Sequence, residues 1–485
     1  MTKRGLALMG LLGMAGTLGR LAPPAQAASA QTQVDRTLRF TVSQAVEVAL
    51  KLNPQVLRAH EQIREFEQLV RQARSEALPR VDATLSVFET RDPGLRNSPF
   101  FTRLLEGPTP VPPEALQAFL FTNYVWRFEV EQRVYSFGRV GSALRAARDE
   151  LEGVRLDVRT EENRISRDVA VACYGFLLAQ HRLSVLETER AARERQLQQV
   201  QDRFDLEDAT RLDLLRARVA LANLRPEILA AENALRVAIA LVNETLGRPV
   251  GEPIEVDEEL RVPDPVPTVP DPSGLLLLAE ETRPELLRFA ADRRVLRGRI
   301  GVSRANLRPE IKANASYGID TFAFENLSKL AFRTWRVGVS LNWTLFDGLR
   351  TPSEIGVLRS QTTQSQYDED DFRSQLALEL ERATGDWSRA LEAVDVAAMA
   401  VEEAREAERV AEESFRWGAA TVLDILESER ALRQAEFNLA QAAHDALVSL
   451  AEMKYLVGFR ADAPDSFLET TAPDSARPVA GGVLR

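Results

Sequence analysis

The chain has 485 residues, of which 45% are hydrophobic and 27% charged, and its formal net charge is −11 at pH 7. An acidic chain of this kind argues against nucleic acid or an anionic surface as a partner. Outside the N-terminus no unbroken apolar run approaches the ~18 residues of a membrane-spanning helix, which excludes a helical membrane transporter.

At the N-terminus Lys3 and Arg4 form a basic start, Leu6 to Leu18 an apolar core, and Ala25-Gln26-Ala27 a small-residue cleavage site. Residues 1–27 are therefore read as a secretory signal, in preference to a buried N-terminal helix. The single cysteine, Cys173, falls in a helical stretch and is expected to be a small buried hydrophobe. A helix is predicted to open at Asn53-Pro54, with proline in the tolerated first turn, and to run to Pro79. Val81, Ala83, Leu85 and Val87 then alternate with polar residues, as do Trp126, Phe128 and Val130, the period of strands with two unlike faces. Between them Pro93, Pro99, Pro108, Pro110, Pro112 and Pro113 mark a long loop. Prolines are absent from 114–225, so a helix can run from Arg139 to Arg203, roughly 100 Å at the usual rise. It turns at Thr210 into a second helix, in which Pro226 should cause a kink.

The same parts then return. At an offset of 230, Pro54 and Pro79 correspond to Pro284 and Pro309, and Arg58, Arg74 and Ser86 to Arg288, Arg304 and Ser316. At an offset of 211, Val134-Tyr135-Ser136 corresponds to Leu345-Phe346-Asp347. Phe204, Thr210 and Asp213 likewise correspond to Phe415, Thr421 and Asp424. Two more alternating strands follow, Ile311 to Tyr317 and Trp335 to Leu345, and a second proline-free stretch at 353–463 permits another long helix pair. The expected layout is a signal peptide at 1–27 and a first repeat at 28–248, with a hairpin at 81–136 and a helix pair at 139–246. A proline-rich linker or equatorial region at 249–283 leads to a second repeat at 284–460, with a hairpin at 311–346 and a helix pair at 351–457. A disordered tail is expected at 461–485.

Four strands with one apolar face are too few to close a barrel, for which about eight is the practical minimum. An open sheet would also leave edges unpaired, which a membrane forbids. Several chains each lending four strands to one barrel resolves both problems; the alternative is a soluble β-sandwich beside a helical bundle. Trp126, Trp335 and Trp343, with Tyr317, fall on the apolar strand faces and fit a lipid-facing aromatic belt.

In this order, twice over, the motifs resemble the TolC-like outer membrane efflux proteins across nearly all of 38–460. The matching segments are Phe40-Thr41-Val42-Ser43-Gln44-Ala45, Asn53-Pro54, Leu78-Pro79 and Val134-Tyr135-Ser136-Phe137-Gly138-Arg139. Leu345-Phe346-Asp347-Gly348 and Thr421-Val422-Leu423-Asp424-Ile425-Leu426 complete the set. The resemblance implies a mixed, mainly α fold: a homotrimeric, twelve-stranded outer-membrane β-barrel continued by a periplasmic α-helical barrel. It implies a passive exit duct, with a periplasmic adaptor protein and an inner-membrane pump as partners, outer membrane lipid around the barrel and no cofactor. The rival reading is a secreted periplasmic coiled-coil scaffold without a channel. No catalytic or metal-binding constellation is legible; His60, His181 and His444 stand singly.

The two tip turns are the candidate site, comprising Phe204, Glu207 and Thr210 in the first and Phe415, Gly418 and Thr421 in the second. Thr210 with Asp213, and Thr421 with Asp424, have capping-box spacing, which gives both aspartates a structural role. Glu427 lies one turn beyond Asp424 on the same face. By resemblance Asp424 and Glu427, with Asp213 nearby, ring the periplasmic entrance and set its ion preference. Two departures from the family pattern stand out. Glu207 occupies the position of the second turn's Gly418, and the Phe346–Arg350 turn lacks a second glycine.

Overall fold

The computed structural model describes residues 38–91, 120–207, 209–263, 269–321, 324–417 and 419–465. The expected signal peptide, the proline-rich loop, Gly418 and most of the expected tail lie outside the described residues. In chain order the elements are β1 (Leu38–Phe40), α1 (Val42–Leu52), α2 (Pro54–Ser75), β2 (Arg80–Arg91), β3 (Leu120–Tyr135), α3 (Arg139–Asp205) and α4 (Arg211–Leu246). There follow β4 (Ile254–Val256), α5 (Pro272–Thr282), α6 (Pro284–Ala305), β5 (Glu310–Thr321), β6 (Arg333–Asn342), α7 (Arg350–Arg416) and α8 (Val422–Val457). Adding 230 to the bounds of α1, α2 and β2 gives those of α5, α6 and β5; adding 211 to those of α3 and α4 gives α7 and α8.

Local chemistry sets the boundaries. Thr41 and Gln44 form a capping box that starts α1, and the Asn53 side chain accepts from Gln55 N–H at 2.8 Å to start α2, with Pro54 in its first turn. Both long helices end at their upper side on two consecutive left-handed residues, Phe137 (φ 47°) and Gly138 (φ 93°), or Gly348 (φ 68°) and Leu349 (φ 68°). Leu349 therefore holds the conformation that a second glycine would adopt without cost, a strain of roughly 1–2 kcal/mol for a residue with a side chain. Helix α4 continues through Pro226, which interrupts neither its start nor its end.

Two apolar cores at the middle of the helices are copies of one another. In the first, Ala45, Val46 and Ala49 of α1 cover Val169, Cys173 and Phe176 of α3, with Val242 and Leu246 of α4. In the second, Leu275 and Ala279 of α5 cover Leu380 and Trp387 of α7, with Met453 and Val457 of α8. Helix α3 contains an 18-residue window of mean hydropathy 1.4, apolar enough by composition to cross a membrane. The first core supplies a different reason for apolar residues along this helix, since α1 and α4 bury Ile165, Val169, Ala172, Cys173 and Phe176 there. Burial pushes the Cys173 thiol up to about 12, which keeps it an inert hydrophobe.

The region expected as a linker at 249–283 holds more structure than its prolines suggest. β4 pairs in parallel with β1 (Leu38 opposite Ile254), and α5 starts on Pro272, a proline in a helix's first turn rather than a break.

β2, β3, β5 and β6 form one antiparallel sheet in that order, so the two expected hairpins are joined through β3 and β5. The register sorts the faces. Val81, Val130, Ala315 and Val337 form one row, and Ala83, Phe128, Tyr317 and Trp335 the next, all on the same side. The other side carries Asp82, Glu129, Ser316 and Arg336. Trp335, Val337, Val339 and Leu341 are all exposed in the single chain, and among the described residues β2 and β6 each pair along one edge only. The strand expected to reach Leu345 stops at Asn342, which lies opposite Glu310, the first residue of its partner β5.

Candidate functional site at the helix tips

The tip turns lie at the far end of α3 and α7 from the sheet. α3 ends with Leu206 N–H donating to Asp202 O at 3.2 Å and Glu207 N–H to Phe204 O at 3.0 Å. Thr210 then caps α4. Its hydroxyl accepts from Asp213 N–H at 3.2 Å, while Asp213 Oδ2 accepts from the Thr210 backbone N–H at 3.1 Å and from its hydroxyl at 2.6 Å. The second turn repeats this around α8: Asp424 Oδ2 accepts from both the N–H and the hydroxyl of Thr421 at 2.7 Å, and Thr421 Oγ1 accepts from Asp424 N–H at 3.3 Å.

Hydrogen bonds from the Thr210 side chain and backbone hold the Asp213 carboxyl below the usual carboxylate range; those from the Thr421 backbone and side chain do the same for Asp424. A depressed folded-state pKa means that each cap contributes fully above the ordinary aspartate pKa and is lost as pH falls through the lowered one. Both caps are thus complete at neutral pH.

Glu207 adopts φ 63°, a left-handed conformation that favours glycine, and the residue at the counterpart position in the sequence is a glycine, Gly418. Glu207→Gly is expected to stabilise the first tip by about 1 kcal/mol, read as slower proteolytic nicking and amide exchange at 204–210. Unchanged protection would show that the turn relaxes around the glutamate. Phe204 is half-buried beneath this turn. The side chain of Phe415 and the whole of Gly418 lie outside what the structure describes, so their expected tip roles stay proposals.

Asp213 and Glu427 meet across a groove of about 650 Å³ between α3, α4 and the start of α8. Asp424 does not line it; it is exposed on the turn itself. What the sequence reading missed is the basic lining, Arg193 and Arg203 from α3, Arg216 from α4 and Arg430 from α8. The groove continues upward past Arg193 and Arg430 into a second cavity of about 660 Å³ bounded by Arg182, Glu189 and Arg433. There Arg193, only 5% exposed, pairs with Glu189 at 3.2 Å, and Arg433 reaches Glu189 at 3.7 Å and Glu429 at 3.6 Å. These residues are spread over some 250 positions, so no local motif announces them.

At the other end Trp126, Tyr317 and Trp335 share the apolar face of the sheet, Trp126 meeting Phe128 edge-on at 4.9 Å. Trp343 was expected within the strand. It lies past the end of β6, and its indole N–H donates to the Leu307 carbonyl at 3.1 Å, fastening the strand end to the segment after α6. Among the described residues no group of three His, Cys, Asp or Glu side chains could hold a metal. His60 contacts Glu162 at 3.2 Å and His444 contacts Asp445 at 2.9 Å.

The family described as outer membrane efflux protein matches residues 45–248 and 275–458, one match for each repeat. The alkaline protease secretion protein AprF of Pseudomonas aeruginosa is 26% identical over 306 residues, 62% of this chain and 62% of AprF. Outer membrane protein TolC of Vibrio cholerae is 22% identical over 302 residues, 62% of this chain and 68% of TolC. Among solved structures, the Campylobacter jejuni CmeC outer membrane channel superposes with a TM-score of 0.71 at 13% identity, covering 90% of each chain. That likeness establishes the shared fold.

Proposed function

The chain belongs to the outer membrane efflux protein family, and from that premise we propose that it is the outer-membrane exit duct of a tripartite efflux or type I secretion system. Three copies would contribute four strands each to a twelve-stranded barrel and their helices to a periplasmic tube. Substrate would arrive from an inner-membrane pump through a periplasmic adaptor and pass by conduction, without chemistry. The observation that carries this reading is the open, four-stranded sheet with one exposed apolar face and one polar face, mounted on two helices of 67 residues each. A soluble protein has no use for such a face, and lipid requires both free edges to be paired. The printed description of AprF, a protease secretion protein, supports secretion as one version of the role.

A coiled-coil scaffold predicts neither detergent dependence nor conductance. Purified protein should therefore require detergent, run as a heat-labile trimer on gels, and open discrete conductances in planar bilayers; a protein soluble without detergent and electrically silent would overturn the duct. Asp424, exposed on the turn, and Glu427, one helical turn on, would place six carboxylates around the periplasmic aperture of a trimer. The Asp424→Ala/Glu427→Ala variant should then lose most of its preference for cations over anions in asymmetric salt. An unchanged reversal potential would remove both residues from the aperture.

A further inference from the structure

The first residue of each long helix is an arginine, Arg139 in α3 and Arg350 in α7, and each follows a pair of left-handed residues. Both line one cavity of about 360 Å³ where the sheet meets the helices, together with Arg308 from the segment after α6. Repetition accounts for Arg139 and Arg350, which are 211 residues apart. It does not account for Arg308, whose counterpart 230 residues earlier is Leu78. The third guanidinium is particular to this cavity.

Two acids share the lining, and both are already engaged. Glu310 pairs with Arg133 of β3, and Asp347 Oδ2 accepts from Thr351 N–H at 2.9 Å at the start of α7. Ser136, which corresponds to Asp347, accepts from Val140 N–H at 3.3 Å at the start of α3. Each helix start thus has a side-chain cap in place, and what the cavity offers a ligand is guanidinium groups rather than bare amides. Arg139, Arg308 and Arg350 are exposed, and among the described residues none of them pairs with an acid. Arg308 makes only a long contact, 3.5 Å, to the Phe137 carbonyl. Register decides which side of the sheet the cavity opens on. Glu310 lies opposite Asn342, and both fall on the face that carries Ser316 and Arg336, the polar one.

Resting on the duct reading, in which the polar face looks into water, we infer that this cavity is a binding site for dissolved multivalent oxyanions at the foot of the barrel lumen. A guanidinium fork matches two oxygens of a phosphate or carboxylate at once, and three forks around one cavity suit an anion of more than one charge. With both acids engaged, the cavity keeps a positive excess that concentrates anions. Its volume holds on the order of ten waters, so a small oxyanion enters without the fold opening. Asn306, Asn342 and Thr344 complete a polar wall around it. Three arginines in each of three copies would set nine at the barrel foot, opposite in sign to the carboxylates proposed for the periplasmic aperture. Such a duct repels anions at one end and collects them at the other.

Inorganic pyrophosphate is the probe, titrated calorimetrically into the detergent-solubilised protein, and one binding event per chain is expected. Arg139→Gln/Arg308→Gln/Arg350→Gln should weaken it by about tenfold or more, and each single change by about threefold. The single variants keep the test open if the triple variant fails to assemble. Arg127→Gln/Arg336→Gln is the control. Arg336 lies six residues up β6 from Asn342, and Arg127 sits opposite Gly318, eight residues beyond Glu310. At about 20 Å or more both are screened from the cavity, and the affinity should be unchanged. No binding, or equal losses for the cavity and control arginines, overturns the site. Titration in nanodiscs separates a dissolved anion from a lipid headgroup. Affinity should be the same in phosphatidylcholine discs with and without phosphatidylglycerol; binding lost in the phosphatidylglycerol discs would assign the cavity to lipid phosphate and overturn the proposal. In planar bilayers pyrophosphate should reduce the current of the unmodified protein and not that of the triple variant. Binding that leaves the current untouched removes the site from the lumen. A protein that is electrically silent and soluble without detergent, yet binds pyrophosphate through these arginines, keeps the site and overturns the duct.

Discussion

Trp387→Ala lowers the stability of the folded chain by ~3–5 kcal/mol, the cost expected for emptying a buried aromatic site. Among the described residues Trp387 is the largest side chain that is fully buried, seated in the second core between α5, α7 and α8. Its neighbours Leu275 and Ala279 belong to α5 and Met453 to α8, so a cavity there loosens the clasp that α5 places over the long helix pair. Phe176 is the counterpart in the first core. Trp387→Phe should therefore cost much less than alanine, and the indole N–H, which has no hydrogen-bond partner, gives phenylalanine nothing polar to lose. Urea unfolding of the detergent-solubilised protein measures both; equal losses for Ala and Phe would show that the site needs the full indole volume.

Gly458→Ala is the second large effect. Gly458 ends α8 at φ 94°, and an added Cβ would lie 2.7 Å from Arg283 Cα and 3.0 Å from Arg283 N. The left-handed conformation alone costs alanine roughly 1–2 kcal/mol, and the collision with backbone adds to it because neither chain segment can rotate away. Gly247 repeats the arrangement at the end of α4, at φ 75°, where an added Cβ would lie 2.7 Å from the Leu52 carbonyl oxygen. The tight approach is useful. It lets Asn163 of α3 donate to the Gly458 carbonyl at 2.8 Å, and Asn53 to the Thr245 carbonyl at 2.8 Å. Each bond ties a helix end to a different part of the fold. Gly251→Ala, where nothing lies within 4 Å, is the control: its melting temperature should be unchanged while that of Gly458→Ala falls. A Gly458→Ala protein as stable as the control would mean that the helix end shifts to accommodate the methyl group.

Much of the architecture was legible because it is written in local rules. The capping boxes at Thr210 and Thr421 need only three residues of spacing, and both are formed. Proline-free stretches announced α3 and α7, and alternation announced the four long strands. The failures have equally local causes. β1 and β4 are three residues each, too short to show a period, and α5 was hidden by the prolines around it. Trp343 continued the alternation of β6 on paper, but its indole is drawn to the Leu307 carbonyl. At the tips the acidic residues could be found by motif. The arginines that line their groove could not, because α3, α4 and α8 bring them together from distant parts of the chain.

The sequence by itself determined the order, length and duplication of the elements, since capping, periodicity and the two offsets act over neighbouring residues or compare one segment with another. Only the tertiary structure decided which elements meet. It joined the two hairpins through β3 and β5, placed Asp213 and Glu427 across one groove while leaving Asp424 outside it, and left the outer edges of β2 and β6 without a partner among the described residues. Pairing and helix packing depend on which apolar faces and backbone edges can be covered at the same time. That condition belongs to the whole fold, and no stretch of sequence states it alone.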